Sequence, residues 1–264
     1  MDYQNELSVS LELARKAGEV IMKHFRKKGE VKQKEDGTLV TQADLEAEKI
    51  IINGLKRSFP NDAIVAEESL RTRGKREWHI DPLDGTGSFA IGDDEFTVHI
   101  GLCEDKKPVL GVVFRPTTNE MYYGIKDRGA YKIDKEGFKT KLSVKEINLD
   151  DMTAVLSFNE RTIKETEEVL KKIKIVKMKK MGGTGLKIIT IAENKADVFI
   201  TVITNSYTWD ICAPQVILEA AGGVITYVDG EHIIYDNFIK LPKNILAGRT
   251  EAQMQHIKER LSLS

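Results

Sequence analysis

The stretch WHIDPLDGTGSF, residues 78–89, is the most specific feature of this 264-residue sequence. It places Asp81 and Asp84 three residues apart behind a short apolar segment. Two carboxylates with this spacing at a strand end can point to one place, and the Leu83 carbonyl between them is a third oxygen. Hard divalent cations such as Mg²⁺ prefer oxygen ligands of this kind. The stretch therefore predicts a magnesium site at a strand end, although the same residues also suit an ordinary tight turn.

Gly85 and Thr86 follow the second aspartate and add a place for an anion. Their backbone N–H groups are predicted to be free at a helix start, where negative charge is favoured. Oxygen ligands for a metal beside an anion-binding turn are the parts of a metal-assisted phosphoryl-transfer site. The chemistry that these residue types indicate is therefore phosphate chemistry.

Two further acids lie at the ends of predicted elements. Glu67 follows the apolar strand AIVA, residues 63–66, and Asp210 follows Trp209 at the start of a predicted helix. Each acid has a plain structural explanation, because Glu67 suits a solvated strand end and Asp210 suits an N-cap. Taken singly, both are better explained by structure than by catalysis.

The first half of the chain predicts helices packed on a mainly antiparallel sheet. Apolar residues recur at helical spacing from Leu7 to Phe25, with a helix end at Gly29 and then a turn at Asp36-Gly37. Thr41 is placed to cap a second helix that runs to Leu55. Strand patterns follow at residues 63–66, 78–80, 96–102, 109–114 and 121–125.

The second half alternates strands and helices, which predicts an α/β layer. The strand patterns cover residues 154–158, 198–203, 224–228 and 244–247, and the helix patterns cover 161–173, 186–193 and 211–221. A polar stretch near residue 150 separates the two patterns. We therefore expect two halves: an α+β half, residues 1–150, with most of the candidate metal ligands, and an α/β half, residues 151–264, that supplies Asp210 and the substrate-facing side.

The composition excludes several classes of protein. Lys plus Arg total 40 and Asp plus Glu total 41, so the chain has no general attraction for nucleic acid or an anionic membrane surface. We see no signal peptide and no apolar run of membrane-spanning length. Cys103 and Cys212 are expected to be buried free thiols, and the five histidines show no metal-ligand spacing and receive no catalytic role. We expect a cytoplasmic protein.

Four segments, taken together, resemble the inositol monophosphatase superfamily of magnesium-dependent, lithium-sensitive phosphatases. They are LVTQAD (39–44), EES (67–69), DPLDGT (81–86) and the WD…EAAGG run (209–223). Their order and spacing agree with the superfamily over nearly the whole chain. The resemblance implies a layered α-β-α-β-α sandwich of the inositol monophosphatase and fructose-1,6-bisphosphatase type, a homodimer, and hydrolysis of a small soluble phosphate ester.

The resemblance also implies a role for each site residue. The metal ligands would be Glu67, Asp81, the Leu83 carbonyl, Asp84 and Asp210, which together would hold two or three Mg²⁺ ions. Asp44 and Thr86, beside Glu67, would orient and deprotonate the water that attacks phosphorus. Asp44 has a second explanation, because an acid three residues after Thr41 stabilises the first turn of a helix.

Several stretches are similar to bacterial 3′(2′),5′-bisphosphate nucleotidases, which makes such a nucleotide the best candidate substrate. The stretches are KEDGTLVTQAD (34–44), EFTVHIGL (95–102), GTGLK (183–187) and VDGEHIIY (228–235). By this resemblance Gly183 and Thr184 would join Gly85 and Thr86 in binding phosphate, and Lys187 would contact a second phosphate. The alternative for Lys187 is a solvent-facing helical lysine.

Two positions depart from these patterns. Gly87-Ser88 stands where the nucleotidases usually have Lys-Glu, and Ile203 stands where inositol monophosphatases have a glutamate that binds hydroxyls. An isoleucine cannot pair with a polyol, and unpaired buried hydroxyls are costly. Inositol 1-phosphate, or a related polyol phosphate, is the alternative substrate, and the pattern DGT-x-SF at residues 84–89 suggests histidinol phosphate as a third. A catalytically silent metal-binding regulator is the alternative of another class.

Overall fold

Two amphipathic helices form the first layer, α1 (Gln4–His24) and α2 (Gln42–Ser58), with a hairpin of β1 (Val31–Gln33) and β2 (Leu39–Thr41) between them. The computed structural model describes residues 2–27, 31–34, 39–158, 160–203, 205–236 and 238–262. The helix end predicted at Gly29 and the turn predicted at Asp36-Gly37 lie outside the described residues.

The start of α2 confirms the predicted cap. The Thr41 hydroxyl accepts a hydrogen bond from the Ala43 N–H at 3.2 Å, and Asp44 Oδ2 accepts one from the Thr41 N–H at 2.8 Å. This reciprocal pair is a capping box, which satisfies N–H groups that a helix start otherwise leaves unpaired. Asp44 is thus held in the first turn of α2.

The first sheet has seven strands in the order β3-β4-β5-β6-β7-β8-β9. The strands are β3 (Ala63–Ala66), β4 (Arg76–Asp84), β5 (Thr97–Glu104), β6 (Lys107–Arg115), β7 (Glu120–Ile125), β8 (Gly129–Ile133) and β9 (Lys139–Leu142). Only β3 and β4 pair in parallel among these seven strands, so the predicted mainly antiparallel sheet is confirmed. The sequence patterns miss β8 and β9, because most of their side chains are exposed or half-exposed.

Strand β4 is longer than the sequence predicts and contains both aspartates of the motif. Its pairing with β5 runs in register as far as Asp81 opposite His99, then shifts so that Asp84 lies opposite Thr97. The tight turn that these residues also suit is therefore not formed, since the two aspartates flank a bulge in a paired strand. Pro82 lies in this bulge and has no N–H to donate to the ladder, which accounts for the break.

The second sheet has five strands in the order β11-β10-β12-β14-β13. They are β10 (Thr153–Leu156), β11 (Lys177–Lys180), β12 (Val198–Ile200), β13 (Val224–Tyr227) and β14 (Ile245–Gly248). Strand β10 is parallel to β11 and β12, whereas β14 pairs antiparallel with β12 and β13. The sequence patterns miss β11, which lies in a run of lysines.

The other helices are α3 (Thr86–Ile91), α4 (Glu160–Lys172), α5 (Thr184–Ala192), α6 (Thr208–Ala220) and α7 (Glu251–Ser262). Helix α7 is not predicted from the sequence, whereas α4, α5 and α6 lie within three residues of their predicted starts. Within the described part of the chain, no helix combines the length and the apolar composition needed to cross a membrane.

Three apolar cores define five layers. The first core joins α1 and α2 to the first sheet, the second joins that sheet to α5, α6 and the second sheet, and the third joins the second sheet to α4 and α7. The layers therefore follow the order α-β-α-β-α, and the predicted fold class is confirmed. The sheets fall within residues 63–142 and 153–248, on either side of residue 150, and the division into two halves stays a prediction.

A row of glycines sets the position of α6 on the first sheet. Gly101, Gly111 and Gly124 are aligned across β5, β6 and β7. A Cβ on Gly111 would lie 2.8 Å from Ala213 Cα, and a Cβ on Gly124 would lie 2.8 Å from Ile217 Cα. The row is therefore a groove that admits the backbone of α6, because a larger side chain at these positions would push the helix away.

The two cysteines meet in the second core. Cys103 on β5 and Cys212 on α6 have their sulfur atoms 3.4 Å apart, and both are free and buried, as predicted. Burial raises the pKa of the Cys103 thiol well above its usual value. Because the thiolate is the reactive form, we expect the Cys103 thiol to be unreactive in the folded protein.

Candidate active site

The predicted site residues come from six element ends that meet beside β4. Asp81, Leu83 and Asp84 lie at the bulged end of β4, and Glu67 follows the neighbouring strand β3. The other residues lie at helix starts: Asp44 in α2, Gly85 and Thr86 at α3, Gly183 and Thr184 at α5, and Asp210 in α6.

Asp44 and Thr86 are brought together, as the sequence predicts. Asp44 Oδ2 accepts hydrogen bonds from the Thr41 N–H at 2.8 Å and the Thr41 hydroxyl at 2.6 Å. Thr86 Oγ1 lies 3.2 Å from Asp44 Oδ1 and 3.1 Å from the Leu83 carbonyl oxygen, so its one proton is offered to both acceptors. Burial raises the pKa of Asp44, and these hydrogen bonds oppose that rise. The capping role and the contact with Thr86 therefore coexist in one carboxylate.

Glu67, Asp81 and Asp210 form a cluster of acids, of which Asp81 is buried and the other two are half-buried. Burial, and then repulsion from Glu67, Asp84 and Asp210, raises the pKa of Asp81 well above its usual range. Burial, and then repulsion from Glu67 and Asp84, has the same effect on the pKa of Asp210. Hydrogen bonds to the Asp81 side chain lower the pKa values of Glu67 and Asp210 and so oppose the effect of burial on both residues. Three separate chain segments therefore bring like charges into contact.

Asp84 joins the first sheet to the start of α5. Its Oδ1 accepts a hydrogen bond from the Thr184 N–H and its Oδ2 accepts one from the Gly185 N–H, each at 2.8 Å. Gly183 has a φ of 55°, and a Cβ there would lie 2.7 Å from Asp84 Oδ2. Glycine is therefore required at 183 both by the backbone and by the carboxylate.

Asp210 is not the N-cap that the sequence predicts. Helix α6 begins at Thr208 with Tyr207 as its N-cap, so Asp210 is the third residue of the helix. Its Oδ2 accepts a hydrogen bond from the Tyr207 N–H at 2.7 Å. An acid at this position reaches back to the cap residue, and the hydrogen bond fixes the direction of its side chain.

Lys187 is buried, with 3% of its surface exposed, so the solvent-facing alternative is wrong. Among the described residues its ammonium group makes one weak hydrogen bond, 3.4 Å to the Met181 carbonyl. Burial lowers its pKa to about 8, against the attraction of Asp84, Glu95 and Asp210. The sequence places this lysine in α5 correctly, but only the packing of α5 between the sheets decides that it is buried.

Two residues that the sequence did not single out hold the Glu67 segment. Lys34 Nζ lies 2.8 Å from Glu67 Oε1 and 2.6 Å from Glu68 Oε1. Glu48 accepts hydrogen bonds from the Glu68 N–H at 2.7 Å and the Ser69 hydroxyl at 2.5 Å. A signal for Glu48 exists, because it lies one helical turn after Asp44 on the same face of α2. No local pattern connects Lys34 to acids more than 30 residues away.

Three buried polar residues next to the site were also missed. His79 precedes Asp81 on β4, and its Nδ1 lies 3.0 Å from the hydroxyl of Thr208, the first residue of α6. Thr97 and His99 on β5 are fully buried and lie opposite Asp84 and Asp81. A signal in the sequence for Thr97 and His99 was their alternation, as polar residues, with the apolar residues of the strand.

The donor set fits magnesium. Among the described residues, no group of three His, Cys, Asp or Glu side chains is already arranged to hold a metal ion. Asp84 accepts from backbone N–H groups, and Glu67 pairs with Lys34. The available donors are nevertheless carboxylate oxygens and one carbonyl oxygen, which Mg²⁺ prefers. A divalent cation would also relieve the repulsion that raises the pKa of Asp81.

The chain matches the model of the inositol monophosphatase family over residues 2–263. It is 35% identical over 234 residues to an inositol monophosphatase of Mesembryanthemum crystallinum, covering 83% of this chain and 84% of that protein. It is 35% identical over 231 residues to the 3′(2′),5′-bisphosphate nucleotidase CysQ of Buchnera aphidicola, covering 85% of each. The solved structure of the Thermotoga maritima IMPase matches with a TM-score of 0.84 at 26% identity, covering 98% of this chain and 99% of that one.

The chain therefore belongs to the inositol monophosphatase family, and the resemblance seen in the four segments is confirmed. It is a phosphatase that hydrolyses phosphate monoesters, in a family that is generally metal-dependent. Its relatives carry the names of both nucleotidases and inositol phosphatases. Family membership thus defines the reaction and leaves the substrate to the particular residues of this chain.

Proposed function

We propose that this phosphatase uses Mg²⁺ to remove one phosphate from a 3′(2′),5′-bisphosphate nucleotide. The observation that carries this choice is Lys187, a buried cation attracted by Asp84 and Asp210. A pKa of about 8 leaves the lysine charged at neutral pH. The phosphate that is cleaved would meet the metal site, whereas a second phosphate needs a further positive group. A buried ammonium group supplies it with little screening by water.

The carboxylates and one carbonyl would hold the metal. We assign as ligands of two or three Mg²⁺ ions Glu67, Asp81, the Leu83 carbonyl, Asp84 and Asp210. Bound Mg²⁺ would neutralise the charge that develops on the phosphoryl oxygens. The acids come from both halves of the chain, so the site is complete only in the folded protein.

Asp44 and Thr86 would prepare the attacking water. Thr86 Oγ1 donates to Asp44 Oδ1 at 3.2 Å, so the lone pairs of the hydroxyl can still accept a hydrogen bond from water. The water proton would pass through this hydroxyl to Asp44, while Glu67 helps to orient the water. Burial raises the pKa of Asp44, which makes it a better proton acceptor than an exposed aspartate.

Backbone N–H groups at two helix starts would bind phosphate oxygens. Gly85 and Thr86 lie at the start of α3, and Gly183 and Thr184 lie at the start of α5. Helix starts favour anions because their first N–H groups have no partner within the helix. The Thr184 N–H donates to Asp84, so a substrate phosphate would compete with that carboxylate for it.

Ile203 favours a nucleotide over a polyol. It follows β12 in the segment that leads to α6, and it is 39% exposed. An apolar side chain near the start of α6 can pack against a nucleobase. It offers no hydrogen bond to the hydroxyls of inositol, which would remain unpaired on that side.

Inositol 1-phosphate is the second candidate. Gly87-Ser88 lacks the Lys-Glu pair expected of the nucleotidases, and a Cβ on Gly87 would meet no atom within 4 Å. Open space therefore lies where the nucleotidase pattern has a long cationic side chain. A 35% identical relative also bears the name inositol monophosphatase.

Phosphate release with Mg²⁺ tests the choice of substrate. The panel is 3′-phosphoadenosine 5′-phosphate, adenosine 3′-phosphate, inositol 1-phosphate, fructose 1,6-bisphosphate and histidinol phosphate. We expect the highest kcat/KM with the bisphosphate nucleotide. Lys187→Met should raise KM for it about 10-fold or more, a loss of about 1.4 kcal/mol, and should change KM for adenosine 3′-phosphate much less, because that ester lacks the second phosphate.

Lys195→Met is the matched control, because Lys195 follows α5 and is 56% exposed at its side chain. Equal KM changes for both adenosine esters, or a preference for inositol 1-phosphate, would contradict the nucleotide assignment. No phosphate release from any ester by a protein that binds Mg²⁺ would favour the silent regulator. A homodimer, sensitivity to lithium and a cytoplasmic location stay predictions.

A further inference from the structure

Two buried polar side chains on β5 contact the carboxylate that ends β4. Thr97 and His99 lie two residues apart, so their side chains leave the same face of the strand. Thr97 lies opposite Asp84 and His99 lies opposite Asp81. Both are 0% exposed, in a strand whose other residues are mostly apolar. Burial of polar groups is costly unless they are hydrogen-bonded, so their partners indicate their role.

The hydrogen bonds among Asp84, Thr97 and His99 have one consistent direction. Thr97 Oγ1 lies 3.3 Å from Asp84 Oδ2 and 2.9 Å from His99 Nε2. With the Thr97 hydroxyl donating to Asp84 Oδ2, its lone pairs accept a hydrogen bond from His99 Nε2. This arrangement requires the His99 proton on Nε2.

The His99 ring also limits the space in which Asp84 can turn. Its Nε2 lies 3.4 Å from Asp84 Oδ2, and a Cβ on Gly185 would collide with the ring. The carboxylate also accepts the N–H groups of Thr184 at Oδ1 and of Gly185 at Oδ2. Asp84 is thus confined between the start of α5 and the side chains of β5.

We propose that Thr97 and His99 are positioning residues that hold the Asp84 carboxylate in the orientation in which it binds Mg²⁺. The inference rests on the proposed function, in which Asp84 is a metal ligand. The hydroxyl fixes one oxygen of the carboxylate, and the ring fixes the hydroxyl. Outer groups that orient a ligand change metal affinity or activity by about 10- to 100-fold when they are removed.

Mn²⁺ binding, followed by electron paramagnetic resonance with Mg²⁺ as competitor, tests the role of Thr97 without relying on turnover. Thr97→Val keeps the shape of the side chain and removes the donor. We expect its Mn²⁺ dissociation constant to rise about 10-fold or more, with a parallel loss of kcat in Mg²⁺. Thr97→Ser keeps the hydroxyl and should recover most of the affinity. Thr226→Val is the matched control, because it removes a hydroxyl from a threonine that is also buried, in the second sheet.

A second pair of variants tests His99. His99→Gln keeps an N–H donor, whereas His99→Phe keeps the ring volume without one, so we expect tighter Mn²⁺ binding by the glutamine variant. This pair also decides the matter if Thr97→Val does not fold, as judged by circular dichroism.

Three outcomes would overturn the inference. Wild-type Mn²⁺ affinity in Thr97→Val would show that the donor does not matter. Equal losses in the valine and serine variants, or in the glutamine and phenylalanine variants, would show a packing role alone. A wild-type protein that binds no Mn²⁺ and releases no phosphate would overturn the proposed function as well, and this result is distinct from the other two.

Discussion

Asp84 is the residue whose side chain connects the first sheet to helix α5. It ends β4 in the first sheet, and its two oxygens accept N–H groups from the first turn of α5. The same carboxylate receives the Thr97 hydroxyl. Because a carboxylate has about four lone-pair positions, it can keep some of these partners and still bind a cation.

Replacing Asp84 by asparagine removes the negative charge of the side chain and nearly keeps its shape. We expect kcat/KM to fall about 100-fold or more, because the variant removes one negative charge from the metal site. We also expect the free energy of unfolding to fall by about 1–3 kcal/mol, since the amide NH₂ would face a backbone N–H of Thr184 or Gly185. Phosphate release and urea unfolding measure the two effects.

Asp94→Asn is the control for Asp84→Asn, because it makes the same charge change on an aspartate whose side chain is 51% exposed. The control should leave turnover and stability close to those of the wild type. Wild-type turnover in Asp84→Asn would remove Asp84 from the set of metal ligands.

Lys187 should make stability depend on pH in a defined direction. Burial lowers its pKa from 10.5 to about 8, so the folded protein binds fewer protons than the unfolded chain between these values. Wild-type stability therefore gains from this group as pH rises from 8 to 10.5, and below pH 8 the buried charge costs about 3 kcal/mol. We expect Lys187→Met to be more stable than the wild type at pH 7, with the difference shrinking between pH 8 and pH 10.

Urea unfolding of the wild type and Lys187→Met at pH 7, 8, 9 and 10 measures this difference. Lys195→Met should show no such trend, because its side chain is more than half exposed. A difference between wild type and Lys187→Met that does not change with pH would contradict the lowered pKa of Lys187.

At the scale of elements, α6 links the site to both sheets. Its first turn carries Asp210, and its middle lies in the glycine groove of the first sheet, against Gly101, Gly111 and Gly124. Its other neighbours belong to the second sheet through the shared core. The position of Asp210 therefore depends on how closely α6 approaches the first sheet at the glycine groove, which lies away from the active site.

Gly111→Ala should disturb both stability and turnover. The added methyl would collide with the backbone of Ala213, which cannot move aside as a side chain can. We expect the free energy of unfolding to fall by about 1–3 kcal/mol and kcat to fall because Asp210 shifts with α6. Thermal unfolding and phosphate release measure these two effects.

Gly87→Ala is the control for Gly111→Ala, since a Cβ there meets no atom within 4 Å and alanine suits the short helix α3. It should keep or slightly raise stability. A free energy of unfolding of Gly111→Ala equal to that of the wild type would show that the glycine groove can accommodate a methyl group, and would contradict this prediction.

At the scale of the whole molecule, the fold gathers acids that repel one another. Glu67, Asp81 and Asp210 come from three segments, and they are brought together only when both sheets are in place. In the unfolded chain these groups are far apart and solvated. Folding without a cation therefore works against a local repulsion, and a cation bound to the folded state relieves it.

Mg²⁺ should therefore stabilise the protein as well as activate it. A ligand that binds only the folded state at 100 times its Kd adds about 2.7 kcal/mol, so we expect Tm to rise with Mg²⁺. EDTA should remove both the stabilisation and the activity, and added Mg²⁺ should restore them. NaCl at the same ionic strength is the control for screening of the acids. An equal rise of Tm in NaCl, or activity that survives EDTA, would contradict a specific magnesium site.

Local patterns in the sequence predicted much of the fold and most candidate site residues. The cap at Thr41, the apolar strands of the first sheet and the acids at element ends were found because each depends on residues near one another in sequence. The patterns missed β8, β9, β11 and α7, where exposed faces or runs of charge hide the apolar periodicity. They also misplaced Asp210 by three residues, because a cap and the acid that reaches back to it look alike in sequence.

The sequence by itself determined the family and the class of reaction, and it predicted the acids proposed to carry it, since these depend on short motifs in a fixed order. Only the tertiary structure decided that Lys187 is buried, that His79 meets Thr208, and that Asp84 receives the N–H groups of α5. These partners are separated by 129 residues for His79 and Thr208 and by 100 for Asp84 and Thr184. Contacts over such distances arise from the packing of α5 and α6 between two sheets, and no local spacing of residues encodes them.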